Sequence, residues 1–162
     1  MPRLSVSLFI PVLVLLLLLP TLSTGAELKP RRPAAGDKCP VCGMFVAKYP
    51  DFACQALFRD GTVLHFDGAK DLFRYYLNPA AFTPGKKQQD IVTLTVTGYY
   101  SLTPIDGRKA WYVTGSDVFG PMGRELIPFD KEADAREFLA DHKGKAIVRF
   151  PDVNARLLRS LE

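Results

Sequence analysis

Cys39-Pro40-Val41-Cys42-Gly43-Met44 gathers two thiols and a thioether in one short stretch. A second thioether, Met122, stands between Gly120-Pro121 and Gly123. Soft sulfur donors suit copper(I), whereas magnesium and calcium want hard oxygens. Met44 and Met122 fall outside any periodic apolar pattern, so they do not read as core packing; the bland alternative is a loop methionine filling a surface gap. His65 adds an imidazole, a good copper ligand, on a stretch whose alternation sets it beside Val63. An ordinary surface histidine is the alternative there. The candidate metal ligands are thus Cys42, Met122, Met44, Cys39 and His65. No catalytic residue and no resident cofactor site is assigned.

The Cys39/Cys42 pair has other readings. In a thioredoxin-type enzyme the pair opens a helix whose N-terminus activates the thiol. Here Phe45 to Tyr49 lacks a helical pattern. A closed structural zinc site needs about four ligands, and no second CxxC or histidine pair supplies them. An inert disulfide stays open, since an exported chain meets an oxidising compartment. Cys54 reads as core, because Phe52, Cys54, Ala56 and Phe58 share one strand face. His142, near a helix end, reads as structural.

These residues need a scaffold, and the pattern supplies one. Phe52–Phe58 reads as a strand, Asp60-Gly61 as a hairpin turn and Thr62–Phe66 as the return strand. Asp67 is placed to cap a helix whose apolar stripe is Ala69, Leu72, Phe73, Tyr76 and Leu77, ended by Asn78-Pro79. Ile91–Thr97 and Ala110–Thr114 read as strands, 115–123 as a long loop bearing Met122, and Glu125–Phe129 as a strand. Asp130 is placed to cap a second helix along Ala135, Phe138 and Leu139, stopped by Gly144. Ala146–Phe150 is a last strand. Phe66-Asp67 and Asp71 recur as Phe129-Asp130 and Asp134, in the same strand, strand, helix register. The expectation is an α+β fold of two related ββα-containing halves (about 39–80 and 90–153) in one compact domain, with antiparallel strands, two main helices and a 154–162 tail.

The chain has 162 residues and a formal charge of +4. Residues 1–26 read as a cleaved signal peptide, with Arg3 ahead of an apolar run and small residues before Glu27. Removing them takes away one basic residue and no acid, so +4 becomes +3. Such a mild, scattered charge excludes a nucleic-acid stripe. Residues 27–38, rich in Pro, Arg and Ala, read as a flexible linker. The expected location is the periplasm. No cysteine near the cleavage point offers a lipid anchor.

The set Cys42-Gly43-Met44, Phe66-Asp67, Tyr112-Val113-x-Gly115-Ser116, Pro121-Met122-Gly123, Pro128-Phe129 and Ala135-x-x-Phe138 resembles the NosL-like proteins, accessory to nitrous oxide reductase. The resemblance spans about 39–153. It implies a copper(I) chaperone that delivers metal to nitrous oxide reductase or another periplasmic copper enzyme, with a copper-delivering ABC transporter complex as a further partner. It also implies Cys42 and Met122 as ligands, with Met44 and His65 as further candidates. Two departures stand out: many members are lipoproteins, and Cys39 is an additional thiol. Residues 39–79 also resemble the YHS or TRASH metal-binding modules. Those carry further cysteines before the helix, where this chain has His65-Phe66-Asp67-Gly68.

Overall fold

Alternation along strand β1 (Cys54–Phe58) sorts its neighbours into two faces. Strand β2 (Val63–Phe66) pairs with it antiparallel, Cys54 opposite Phe66 and Ala56 opposite Leu64, while Gln55 faces His65. The first set turns inward under helix α1 (Ala69–Leu77), and the second lies on the outer face. Strand β3 (Ile91–Thr97) joins the other side of β1, and the short β4 (Pro104–Asp106) joins β3, giving the order β2-β1-β3-β4. β4 is a short edge strand of three residues, and its leading proline gives it little strand signal in the sequence. A second antiparallel sheet has the order β6-β5-β7, from β5 (Trp111–Gly120), β6 (Gly123–Phe129) and β7 (Ala146–Arg149). Helix α2 (Glu132–Asp141) connects β6 to β7. The computed structural model describes residues 30–162; the expected signal segment and its expected cleavage point lie outside them.

Each half is thus a hairpin, a helix and a strand returning beside the hairpin's first member. This is the expected α+β fold of two related ββα-containing parts. The halves share their interior. Tyr112 and Leu126 of the second sheet are buried with Phe58, Phe66, Leu72, Phe73 and Tyr75 of the first half. Their chain neighbours Val113 and Ile127 face the other way, under Phe138 of α2, and Phe52, ahead of β1, and Tyr99, after β3, join that side. The second sheet therefore has apolar surface covered on both faces, and removing that surface from water is the main force holding such layers together.

Several local expectations differ. The β5 strand does not stop at Thr114; it runs on to Gly120 after an irregular register between Thr114 and Phe119. Met122 therefore lies in a two-residue turn between the paired Gly120 and Gly123, not in a long loop. Neither Asp67 nor Asp130 is the helix cap: Gly68 and Lys131 hold those positions, and neither uses a side chain. After α2 the left-handed residue is Lys143 rather than Gly144, whose missing Cβ makes room for Val113 and Leu139. Residues 30–38 are tied down rather than free: Arg31 N–H donates to Gln55 Oε1 (2.8 Å), and Asp37 pairs with His65 (2.9 Å). The segment 154–162 forms helix α3 (Ala155–Arg159), capped by Asn154, with Leu158 and Leu161 in the core.

Candidate metal centre

Lys38 and Phe45 form an isolated antiparallel bridge, and the cysteine loop is the turn that closes it. Inside the bridge, Cys39 N–H donates to the Met44 carbonyl (2.9 Å) and Gly43 N–H to the Cys39 carbonyl (2.8 Å). Gly43 has φ +80°, which glycine adopts without the Cβ clash of other residues. This tight loop leaves main-chain N–H groups to the sulfurs: those of Cys42 and Val41 serve Cys39, and that of Met44 serves Cys42. Amides aimed at a sulfur favour its thiolate, the form that binds metal.

Both thiols meet the start of α1. Cys42 Sγ donates to Asp67 Oδ1 (3.2 Å) and Cys39 Sγ to Asp71 Oδ2 (3.5 Å). Ligating atoms of Cys39, Cys42, Asp67 and Asp71 all lie within 4.8 Å of one another. Asp67 and Asp71 are only 1% and 2% exposed, yet Asp67 Oδ2 and Asp71 Oδ1 have no hydrogen-bond partner among the described residues. Arg74, 3.8 Å from Asp71 Oδ1, is the nearest cation to that carboxylate by ion pairing. Buried carboxylate oxygens left unpaired are costly, so the cluster has unspent capacity for a cation.

Sequence reading missed the two aspartates. An Asp ahead of a helix reads as its cap, but that role is filled from the other half of the molecule. Glu125 on β6 accepts from Lys70 N–H (2.5 Å) and from Leu126 N–H (2.8 Å), so it serves the first turn of α1. A signal was present: Asp67 and Asp71 are four apart, the spacing that sets side chains on one helical side.

In the metal-free protein these thiols stay protonated. Burial pushes Cys42 up to about 12; the Met44 amide works against this and the Asp67 contact adds to it. Burial drives Cys39 further above the usual thiol range, against the amides of Cys42 and Val41. That is the reverse of an activated redox cysteine, whose thiolate is stabilised. All three cysteines are free. Cys54 is buried and bonds the Phe52 carbonyl (3.2 Å), in keeping with a core role.

Met122 comes to this end of α1 through its backbone. Its carbonyl accepts from Lys70 Nζ (2.8 Å), and Lys70 directly precedes Asp71. The residue is 43% exposed, open to solvent and to visitors. Met44 is half-buried on the cysteine loop itself. His65 is not brought to the cluster. It lies on the outer face of the first sheet, beside Gln55, with Nδ1 on Asp37 (2.9 Å) and Nε2 on the Arg31 carbonyl (3.1 Å). Both ring nitrogens are engaged, and the strand's alternation aims the ring away from Phe66.

The NosL family profile matches residues 30–158. The chain belongs to the NosL family. A curated relative, the copper-binding lipoprotein NosL of Stutzerimonas stutzeri, is 28% identical over 129 residues, 76% of this chain. The match spans 65% of that relative's length. The crystal structure of the copper chaperone NosL from Shewanella denitrificans superposes with a TM-score of 0.66 at 25% identity, covering 79% of this chain and 97% of that one. The solution structure of apo-NosL from Achromobacter cycloclastes is 23% identical, with a TM-score of 0.46 over 65% of this chain and 87% of that one. The NosL match begins at Pro30, within the segment read as a linker.

Proposed function

We propose that this NosL-family chain is a carrier of copper(I), with Cys42 and Met122 as its principal ligands and Cys39 and Met44 beside them. The observation that carries this reading is the convergence at the start of α1. The cysteine loop reaches Asp67 and Asp71 there, and the Met122 turn is tied to the neighbouring Lys70. Sulfur donors from two distant segments favour a soft monovalent ion. Cys42 is the more accessible of the paired thiols, since Cys39 is 1% exposed. A carrier must also release its cargo. An exposed thioether on a hairpin tip lets a client's ligands enter stepwise, whereas a closed cage resists exchange.

The names of its relatives support copper as cargo and an envelope location. We place the protein in the periplasm, with nitrous oxide reductase as the proposed client and no enzymatic activity of its own. A lipid on a cysteine does not fit Cys39, the first cysteine of the sequence, because its sulfur is buried against Asp71. Among the described residues no helix is long and apolar enough to cross a membrane.

Anaerobic titration with copper(I) against a chromogenic chelator tests the reading. The mature protein should bind copper(I) and pass it to metal-free nitrous oxide reductase. Failure to compete with the chelator would reject the carrier role; binding without transfer would reject the client.

A further inference from the structure

We propose that Lys70 and Glu125 are positioning residues, which lock the Met122 hairpin onto the helix end that carries Asp67 and Asp71. The proposal rests on the reading of Met122 as a copper ligand and deepens it.

Lys70 is an unusual residue for its place. It is 4% exposed, and it stands in the first turn of α1, where a cation opposes the helix dipole. A long ammonium side chain buried there needs a compensating partner. The hairpin supplies two, one for each end of the residue. The main-chain N–H of Lys70 donates to Glu125 Oε1, and its Nζ donates to the Met122 carbonyl. Two bonds from one strand segment to one helical residue fix both the distance and the rotation of the hairpin against α1. A single contact would leave the tip free to pivot.

The surrounding backbone is built around this lock. A Cβ on Gly68 would collide with Glu125 Oε2, and one on Gly120 would lie 3.1 Å from Glu125 Cγ. The Glu125 side chain therefore sits between the cap position of α1 and the base of the Met122 turn, at a closeness that only glycine allows on the helix side. Glu125 is 3% exposed, and its Oε1 takes up both the Lys70 and the Leu126 N–H, so one buried side chain joins the first turn of α1 to β6. Without the lock the turn loses its only side-chain bond to α1 among the described residues, and with it the tie that holds Met122 at that helix end.

The test compares Lys70→Met, Glu125→Ala, Glu125→Gln, Met122→Ala and the Lys70→Met/Met122→Ala double variant. Copper(I) affinity is measured by chelator competition, and amide exchange at 122–125 in metal-free protein. Lys70→Met and Glu125→Ala should each weaken copper(I) binding about tenfold, and the double variant should be no weaker than Met122→Ala alone. Amides of the hairpin should exchange about tenfold faster in Lys70→Met while those of β3 do not change. Glu125→Gln, which keeps an acceptor oxygen for both N–H groups, should restore affinity and exchange. A weakened Met122→Ala beside an unaffected Lys70→Met overturns the positioning role alone. So do additive losses in the double variant, or unchanged exchange at the hairpin. Wild-type affinity in Met122→Ala overturns the ligand reading, and the positioning role with it.

Discussion

The Cys42 thiol donates to the Asp67 carboxylate at 3.2 Å, across 25 positions of sequence. A proton therefore occupies the place where a soft metal would bond. Burial and the Asp67 contact hold the Cys42 thiol up to about 12. Metal binding must displace that proton throughout the range below 12. Apparent copper(I) affinity should rise about tenfold per pH unit for each thiol proton released, and fall by the same factor on acidification. Chelator competition between about pH 6 and 8 checks the slope. A pH-independent affinity would mean that no thiol proton leaves.

The ligand set makes a ranked prediction. Cys42→Ser and Met122→Ala should each weaken copper(I) binding strongly, with roughly 100-fold expected for the thiolate, about 2.7 kcal/mol. Cys54→Ala should leave affinity nearly intact, since that sulfur is committed to the core and the Phe52 carbonyl. Titrations of the three variants, with thermal unfolding to confirm each fold, give the order.

His65 separates structure from ligation. It joins Asp37 and the Arg31 carbonyl to the outer face of the first sheet. His65→Ala should keep wild-type copper(I) affinity, yet loosen residues 30–37 and lower stability by about 1 kcal/mol through its lost contacts to Asp37 and Arg31. Limited proteolysis should show faster cleavage near Arg31-Arg32. A large loss of copper affinity with an intact amino-terminal segment would contradict this placement.

Glu125 shapes stability against pH. Burial raises its carboxyl to about 7 in the folded protein, against the lowering by the Leu126 and Lys70 amides, from a reference value of 4.5. Between those values the folded state holds more protons than the unfolded one, so stability falls as pH rises from about 4.5 to about 7. Glu125→Gln should remove this slope. Near pH 8 it should be more stable than the wild type, by on the order of 3 kcal/mol at most. Denaturant midpoints at about pH 5 and pH 8 compare the two directly.

Sulfur chemistry singled out the cysteine loop and Met122 as candidates, because softness is a property of residue type, and the fold gathers the loop's two thiols with Asp67 and Asp71. Helical and strand periods likewise located both hairpins and both main helices. What stayed hidden was relational. Asp67 reads as a cap until Glu125, 55 positions from Lys70, takes over the service of that helix end. The anchoring of residues 30–38 was hidden for a similar reason. Its Pro, Arg and Ala composition has little to bury, and the segment is held by polar contacts to Gln55 and His65. The alternation that set His65 with Val63, opposite Phe66, was readable; which segment would cover that face was not.

The interior shared by the two halves has a bearing on synthesis. Phe66 and Phe73 cannot be fully enclosed until Tyr112 and Leu126 have been synthesised. Until then Cys39 and Cys42 hang on an unfinished scaffold, unshielded from oxidants. Their survival as thiols is thus decided in a race between chain completion and crosslinking.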